Sequence, residues 1–396
     1  MGDIRPRVLF LTPRHPYPPM RGDQRRTLHL LEGLAAHARV SLITFGGGEE
    51  LPFDGVRVRT VGRSAIGTVS ANATASPQLP LQVRLYLDAR MRRAVGEELD
   101  RFCPDVAHVT LARLGPYMPA DGVRHAHVDL IDCLSLNMAT RARASRAPMR
   151  AVLAAEARLM RRYEGRLAAR ADSCSVVSER DRAAIPGGER VAVIPNGVDL
   201  AEFPFSDPAD RPPVLLFFGN LGYFHNVEPA RFVAMEVLPR VRRELPEARL
   251  RLVGARPTQA ARRLAELDGV EVAADVPSIA DELHGAAVAT LPMFTGSGIK
   301  NKVLEAFCSG TPVVTNALGI DGVDGARGGE HHLEAEGAEG IARCCLRLLR
   351  NGAERSTLAG RANELVRHEY SWKRRVESLL ELYETGLRRS GSRLHG

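Results

Sequence analysis

The sequence has no long hydrophobic run and no paired-cysteine motif. No stretch approaches the roughly 18 consecutive apolar residues of a membrane-spanning helix, and the N-terminus enters a strand pattern without the features of a signal peptide. We therefore expect a cytoplasmic protein. No cysteine pair has CxxC spacing, which favours buried thiols over a metal site. The six cysteines are Cys103, Cys133, Cys174, Cys308, Cys344 and Cys345.

Aromatic residues and lysines are also scarce. Aromatics make up 5% of the 396 residues and no recognised nucleic-acid motif is present, which argues against a nucleic-acid partner. Only three lysines stand beside 51 arginines, and two of them fall in one run, Thr295-Gly-Ser-Gly-Ile-Lys300-Asn-Lys302-Val-Leu-Glu305. A chain that otherwise uses arginine has kept a compact ammonium charge here.

The lysine run lies between two patterns. An apolar strand pattern at 287–291 precedes it and a helical pattern follows, so its glycines and lysines should lie near a helix N-terminus. Backbone N–H groups make such a terminus an anion-binding site. The alternative is a pair of solvated lysines on an ordinary surface helix.

The net charge of +7 is unevenly distributed. Residues 1–180 hold 27 arginines against 18 acidic residues, and nine of these arginines lie between Arg141 and Arg170 in a helix-like stretch. Such a helix could contact an anionic membrane at the inner face or a phosphorylated acceptor. The alternative is a solvated helix face.

Apolar runs alternate with helical patterns along most of the chain, including predicted helices near 229–243 and 258–267, and this alternation indicates an α/β protein with parallel sheets. The Ser-, Ala- and Thr-rich stretch 64–78 interrupts this rhythm and is predicted as a loop. A proline-rich stretch separates two periodic regions, which places a linker there. The expected domains are 1–195, a linker at 196–213, a second domain at 214–370, and a C-terminal helix with its tail at 371–396.

Five short motifs occur in the second half of the chain: Pro195-Asn-Gly-Val-Asp199, Phe218-Gly219-Asn220, Leu252-Val-Gly254, Gly298-Ile-Lys300-Asn-Lys302-Val-Leu-Glu305 and Gly310-Thr-Pro312. Together they resemble the retaining, nucleotide-sugar-dependent glycosyltransferases of family 4, group 1. Gly22-Asp23-Gln-Arg25 and Asp129-Leu-Ile-Asp132-Cys-Leu-Ser135 resemble a bacterial exopolysaccharide-associated subgroup. The resemblance implies a GT-B fold: two Rossmann-like, doubly wound parallel-sheet domains facing a cleft, with a C-terminal helix crossing back.

The resemblance also implies roles for individual residues. Glu305 matches a glutamate that binds the ribose diol, whereas Ser297 replaces a glutamate that contacts the donor sugar. Relatives place basic residues after the first strand of the second domain, where this chain has Asn220-Leu-Gly-Tyr223. Lys300 is the natural replacement for that charge. The predicted donor-binding residues are Gly22, Gly219, Asn220, Tyr223, Gly254, Ser297, Gly298, Ile299, Lys300 and Glu305.

The expected reaction is hexosyltransferase-like and needs no cofactor beyond its nucleotide-sugar co-substrate. Lys300, with the backbone at Ser297–Ile299, would stabilise the leaving diphosphate, so no metal is expected. Lys302 should point away from that site and tolerate replacement. Asp132 is the first candidate to orient the acceptor; Asp129 is the second, or else it bonds backbone or an arginine. His15 and His127 are expected to be structural.

The sequence leaves the acceptor and two other classes of function open. The acceptor could be a polysaccharide, a lipid-linked glycan or a specialised metabolite. The same fold serves nucleotide-sugar 2-epimerases, which need acid–base groups at the sugar C2 and have no acceptor site. A non-catalytic nucleotide-sugar binding module is the remaining alternative, against which Lys300 and Glu305 argue.

Overall fold

The computed structural model describes residues 5–63, 76, 78–295 and 300–393. The chain divides into two compact units: unit 1 contains Met1–Asn196 and Trp372–Gly396, and unit 2 contains Gly197–Ser371. The segment 64–78, predicted as a loop, lies outside the described residues apart from Ser76 and Gln78.

Unit 1 is built on a parallel sheet with strand order β3-β2-β1-β4-β5-β6-β7. Its central strands are buried on both faces because helices cover both sides. The strands are β1 (Arg7–Thr12), β2 (Arg39–Phe45), β3 (Val56–Val61), β4 (Val106–Thr110), β5 (His125–Ile131), β6 (Ser173–Val176) and β7 (Val191–Val193). The helices are α1 (Gly22–His37), α2 (Leu81–Arg84), α3 (Ala89–Phe102), α4 (Leu134–Ala144), α5 (Met149–Arg170), α6 (Glu179–Ala184) and, at the end of the chain, α15 (Trp372–Arg393).

Unit 2 repeats the architecture with strand order β10-β9-β8-β11-β12-β13, again parallel. The strands are β8 (Val214–Phe218), β9 (Arg249–Gly254), β10 (Val270–Ala274), β11 (Val288–Thr290), β12 (Val313–Thr315) and β13 (Leu333–Glu334). The helices are α7 (Phe224–Phe232), α8 (Leu238–Glu244), α9 (Gln259–Arg262), α10 (Ile279–His284), α11 (Asn301–Ser309), α12 (Ala317–Ile320), α13 (Gly337–Arg350) and α14 (Gly352–Glu369). The predicted pair of doubly wound parallel sheets is thus confirmed.

The last helix packs within unit 1, as the predicted fold requires. Val376, Leu379 and Tyr383 of α15 are buried in one apolar cluster with Phe10 of β1 and Leu31 of α1. Burial of these side chains against the sheet anchors the end of the chain to its beginning.

Two predicted helices need correction, and one short strand was not predicted. The helix predicted at 229–243 begins at Phe224 and widens into a π-helical turn at Val233–Val237. Pro239 lacks an N–H, so it cannot continue a regular hydrogen-bond ladder at that point. The helix predicted at 258–267 is α9 followed by a 3₁₀ turn at Arg263–Glu266. Strand β13 has only two residues and leaves too short a pattern to recognise.

Residues 197–213, most of the predicted linker, pack onto unit 2. Phe203 is buried in the core of that unit. The Arg211 guanidinium donates hydrogen bonds to the carbonyls of Leu283 and Ala286 and to Thr311 Oγ1. These contacts explain why a proline-rich segment is part of a compact unit.

A buried polar cluster joins α15 to the sheet of unit 1. His108 Nδ1 and Tyr383 Oη are 2.6 Å apart, and His127 lies within hydrogen-bond distance of Ser173 and Ser175. Burial lowers the pKa of His108 to about 4, with Asp129 opposing the shift and Arg26 adding to it. Burial, reinforced by neighbouring histidines and Arg26, lowers the pKa of His127 well below its ordinary value.

These depressed pKa values predict that unit 1 loses stability in mild acid. Folding favours the neutral imidazoles, so their contribution is complete above about pH 6.5 and is lost as the pH falls toward the folded pKa. We expect the free energy of unfolding to fall by up to about 1.4 kcal/mol per pH unit for each histidine. Urea titrations followed by the fluorescence of Trp372, the single tryptophan, measure this in unit 1. In the variant His108→Gln, the free energy of unfolding should depend less steeply on pH than in the wild type. The variant His37→Gln, at an exposed histidine, should keep the wild-type pH dependence.

Candidate anion-binding site of unit 2

The candidate site lies where the strand order of unit 2 reverses. Strand β8 stands beside both β9 and β11, so the loops after β8 and β11 flank the switch point of the sheet. In doubly wound sheets, ligands bind at the carboxyl ends of the strands at this position. Gly219 and Asn220 follow β8, and the loop after β11 leads to the two lysines.

Two predicted donor-site glycines have local structural reasons to be glycine. Gly219 has φ of +148°, a conformation that side chains rarely adopt. At Gly254, the last residue of β9, a Cβ would lie 1.8 Å from the Gly219 carbonyl oxygen. The ends of β8 and β9 therefore approach too closely for any larger residue. A role in approaching phosphates, predicted from sequence, would come in addition to this packing role.

Helix α11 begins at Asn301, with Lys300 as its N-cap in an extended conformation. Lys300 is buried, with 8% of its surface exposed, whereas Glu305 in the second turn is partly exposed. The first turn contains no acidic residue. Both site lysines thus stand at the positive end of the helix dipole, where anions and not cations are stabilising. Predicted donor-site residues Ser297, Gly298 and Ile299 lie outside the described residues.

Lys302 is a functional candidate that sequence reasoning missed. Its Nζ donates a 2.8 Å hydrogen bond to Asn226 Oδ1 and lies 4.8 Å from the centre of the Phe217 ring. The Asn226 amide in turn donates to the Asn220 carbonyl at 3.1 Å. This chain of contacts links α11 to the loop after β8.

The expectation that Lys302 points away from the candidate site is wrong, because its Nζ contacts Asn226 in the helix after β8. That expectation counted 100° per residue from Lys300, but Lys300 is outside the helix and the helical rotation starts only at Asn301. Burial lowers the pKa of Lys302 to about 8; Glu305 opposes this shift and the Lys300 charge adds to it. The two ammonium groups therefore influence each other at the start of one helix.

Side chains after β8 also contact Thr295, which follows β11. His225 Nδ1 and Thr295 Oγ1 are hydrogen-bonded, and the His225 ring lies 4.7 Å from the ring of Tyr223. Tyr223, predicted to bind the donor, is 57% exposed and available to a ligand. Asn220, also predicted, accepts a 2.9 Å bond from the Gly222 N–H, so its side chain shapes its own turn.

Asn316 anchors the next loop of this edge. Its amide oxygen accepts from the Met293 N–H at 2.9 Å, and its amide nitrogen donates to the Met293 carbonyl at 2.8 Å. Sequence reasoning did not select His225 or Asn316. The available signal was the cluster of small polar residues at the ends of three apolar strands.

In unit 1 the two candidate aspartates have different surroundings. Asp129 is buried within β5; its oxygens accept from Arg26 Nε at 2.7 Å, Ser175 Oγ at 3.1 Å and the Ile131 N–H at 3.1 Å. This arrangement fits the alternative that Asp129 bonds backbone and an arginine. Asp132 follows β5 and is partly exposed. It remains the better placed of the two to meet a ligand.

Backbone strain lies directly beside Asp132. Ile131 has φ of +60° and Leu111, at the end of neighbouring β4, has φ of +68°. A β-branched residue in this region costs on the order of 1–3 kcal/mol and is found most often at functional sites. The carboxyl edge of the unit 1 sheet therefore carries a strained turn that leads to Asp132.

Arg26 was missed, although it is among the most buried side chains. Besides its ion pair with Asp129, its Nη1 donates to the Pro195 carbonyl and to Asn196 Oδ1, both at 3.1 Å. The sequence signal was its helical spacing. Arg26 stands four residues before buried Leu30 on α1, so the two side chains lie on the same face of the helix. Gly22, predicted to bind the donor, is the first residue of α1, and a Cβ there would meet no atom within 4 Å.

Within the described ranges, no group of three His, Cys, Asp or Glu side chains is arranged to hold a metal ion. In the same part of the chain, no helix has the length and apolarity to cross a membrane.

Residues 21–197 match the family described as glycosyl transferase 4-like domain, and residues 212–351 match glycosyl transferases group 1. Glycogen synthase from Mycobacterium tuberculosis is 33% identical over 151 residues, 34% of this chain and 33% of the synthase. The chain thus spans about a third of the length of that curated relative.

Solved structures with the same fold cover almost the whole chain. Sucrose-phosphate synthase from Thermosynechococcus elongatus aligns with a TM-score of 0.69 at 18% identity, covering 96% of this chain and 99% of the synthase. HepE from Anabaena, in complex with UDP-glucose, aligns with a TM-score of 0.68 at 14% identity, covering 96% and 100%. The chain therefore carries the two domains of a glycosyltransferase of the GT-B fold.

Proposed function

We propose that the protein is a retaining glycosyltransferase that moves a sugar from a nucleoside diphosphate to an acceptor hydroxyl without a metal ion. The observation that carries the proposal is the placement of Lys300 and Lys302 at the N-terminus of α11. Each cation at this end costs on the order of 0.3–1 kcal/mol in the absence of an anion. In a chain with three lysines, such a cluster fits a diphosphate ligand.

The chemistry follows from charge development. Cleaving the bond between the anomeric carbon and the diphosphate makes the sugar cationic and adds negative charge to the leaving phosphate. Lys300 and the helix terminus would stabilise that charge, with Lys302 acting behind the loop after β8. Since the protein supplies this positive charge, the reaction does not require a divalent cation.

The remaining roles are assigned on the same basis. Glu305 would accept hydrogen bonds from the ribose diol, and Asp132 in unit 1 would orient the acceptor. The complex of HepE with UDP-glucose supports a nucleotide-sugar as the donor class. Retention is proposed to proceed on one face of the sugar, with the leaving phosphate oxygen receiving the acceptor proton. No enzyme carboxylate is then needed as nucleophile.

A panel of UDP-, GDP- and dTDP-sugars in thermal unfolding experiments tests donor binding. A ligand present at 100 times its dissociation constant should stabilise the protein by about 2.7 kcal/mol. The stabilisation should persist in EDTA. Absence of any shift across the panel would contradict the proposal.

Glu305→Ala should weaken nucleotide binding by about 1.5–3 kcal/mol, the range for hydrogen bonds to a charged group. A 2′-deoxy nucleotide should lose affinity for the wild-type protein but little further affinity for the variant. Calorimetry with both nucleotides on both proteins measures this coupling. If the deoxy nucleotide weakens binding equally in the two proteins, Glu305 does not bind the ribose.

A further inference from the structure

A groove in unit 1 combines an alanine floor with arginines. Helices α4 and α5 are joined by only four residues, 145–148, and therefore pack side by side in opposite directions. Between them is a cavity of about 360 Å³. Its lining shares small apolar and cationic side chains: Ser135, Leu136, Ala139, Ala142, Arg143, Arg150, Ala154, Ala157, Arg158, Arg161 and Ala184.

The arginines of the groove are available to an anion. Arg143, Arg150, Arg158 and Arg161 are all exposed. Across the described part of the chain, no carboxylate lies within 4.0 Å of the guanidinium groups of Arg143, Arg150 or Arg158. Arg161 Nε donates to the Ala184 carbonyl at 3.1 Å, which fixes that side chain beside the groove.

One end of the groove is near the proposed chemistry of unit 1. Ser135 and Leu136 belong to the first turn of α4, three to four residues after Asp132. Because α5 runs opposite to α4, its later residues Arg158 and Arg161 lie at this end and Arg150 lies at the other. Arg150 and Arg161 are separated by about 16 Å along the helix axis.

The floor of the groove is apolar along both helices. Leu136, Ala139 and Ala142 of α4 face Ala154 and Ala157 of α5 across it. Small apolar side chains leave room between the helices for a hydrocarbon chain.

We propose that the groove binds an amphiphile with a hydrocarbon chain on the alanine floor and a phosphate on Arg158 and Arg161. The chain then runs along the groove toward Arg150. Charge selects the occupant, since an apolar floor beside guanidinium groups that have no carboxylate partner fits a lipid phosphate and disfavours a neutral glycan. If the proposed function holds, this ligand is the lipid-linked acceptor, with its reactive end at the edge that carries Asp132.

Calorimetry of the full chain with dodecyl phosphate below its micellar concentration tests the proposal. Saturable binding is expected. Two control ligands should each bind at least about tenfold more weakly. Inorganic phosphate lacks the hydrocarbon chain that the alanines would contact, and dodecyl maltoside lacks the charge that the arginines would bind. Equal binding of inorganic phosphate would identify a free-phosphate site instead, and equal binding of the maltoside would remove the arginines from recognition.

Matched variants separate the groove from the general basic surface. Arg158→Gln should weaken binding by about tenfold or more, whereas Arg162→Gln, an exposed arginine of the same helix outside the groove, should change it by less than about twofold. Ala154→Leu should abolish binding by filling the groove, and Ala155→Leu, exposed and outside it, should not. Equal effects within either pair would overturn the proposal.

Nucleotide-sugar binding measured on the same samples distinguishes the two claims. Intact donor binding without dodecyl phosphate binding overturns the groove assignment and leaves the proposed function standing. Dodecyl phosphate binding without donor binding supports the groove and contradicts the proposed function.

Discussion

Lys300→Ala should lower the turnover rate by on the order of 100- to 1,000-fold, about 2.7–4 kcal/mol, and weaken donor binding much less. Negative charge on the leaving diphosphate increases as the bond breaks, so a preorganised cation stabilises the transition state more than the bound donor. The buried position of Lys300 at the start of α11 gives it that preorganisation.

Steady-state kinetics on the wild type, Lys300→Ala and Lys300→Arg measure this prediction. Arginine should restore activity only in part, because its planar fork does not place charge where the compact ammonium does. Lys373, a lysine outside the site, provides the control: Lys373→Ala should keep normal turnover. Near-normal turnover of Lys300→Ala would rule out the phosphate-stabilising role.

Lys302→Met should weaken donor binding by about 1.5–3 kcal/mol and lower the stability of unit 2. Methionine retains much of the volume over Phe217 but leaves the partly buried Asn226 side-chain oxygen without the donor that holds the loop after β8. The effect should appear mainly as a raised donor dissociation constant, in contrast to the turnover loss of Lys300→Ala.

The pH dependence of donor binding tests whether the positive charge of Lys302 contributes to donor affinity. Its pKa is lowered to about 8, so it loses its proton and its attraction for an anion as the pH rises through that value. Wild-type affinity should therefore decline above about pH 8 more steeply than that of Lys302→Met. Isothermal titration across this range provides the test, and parallel profiles for the two proteins would show that Lys302 does not act through its charge.

The sequence predicted the sheets well because most buried strands, such as β1 and β8, are continuous apolar runs, although buried β5 also carries two histidines and Asp129. The position of α11 was also predictable, because a strand pattern, a glycine-rich loop and a helical pattern follow one another there. The sequence prediction failed for Lys302 because a helical wheel needs the first helical residue, and that residue is set by the cap conformation of Lys300.

Contacts between distant residues could not be predicted from local pattern. The Arg26–Asp129 pair joins residues 103 positions apart, and nothing near either residue specifies the other. The groove between α4 and α5 depends on how two helices pack, although the arginine-rich stretch that forms it was recognised. The strained φ of Ile131 likewise has no sequence signal, because isoleucine ordinarily avoids that conformation.

The proposed reaction cleaves the anomeric bond of a nucleotide-sugar with retention and without metal. Proton NMR of α-linked UDP-, GDP- and dTDP-sugars incubated with the full chain in EDTA tests it directly. We predict that the anomeric signal of at least one donor decays, and that the first sugar formed by transfer to water keeps the α configuration. Three results would contradict the proposed reaction: a first product with the inverted configuration, an epimer at C2, or no consumption of any donor.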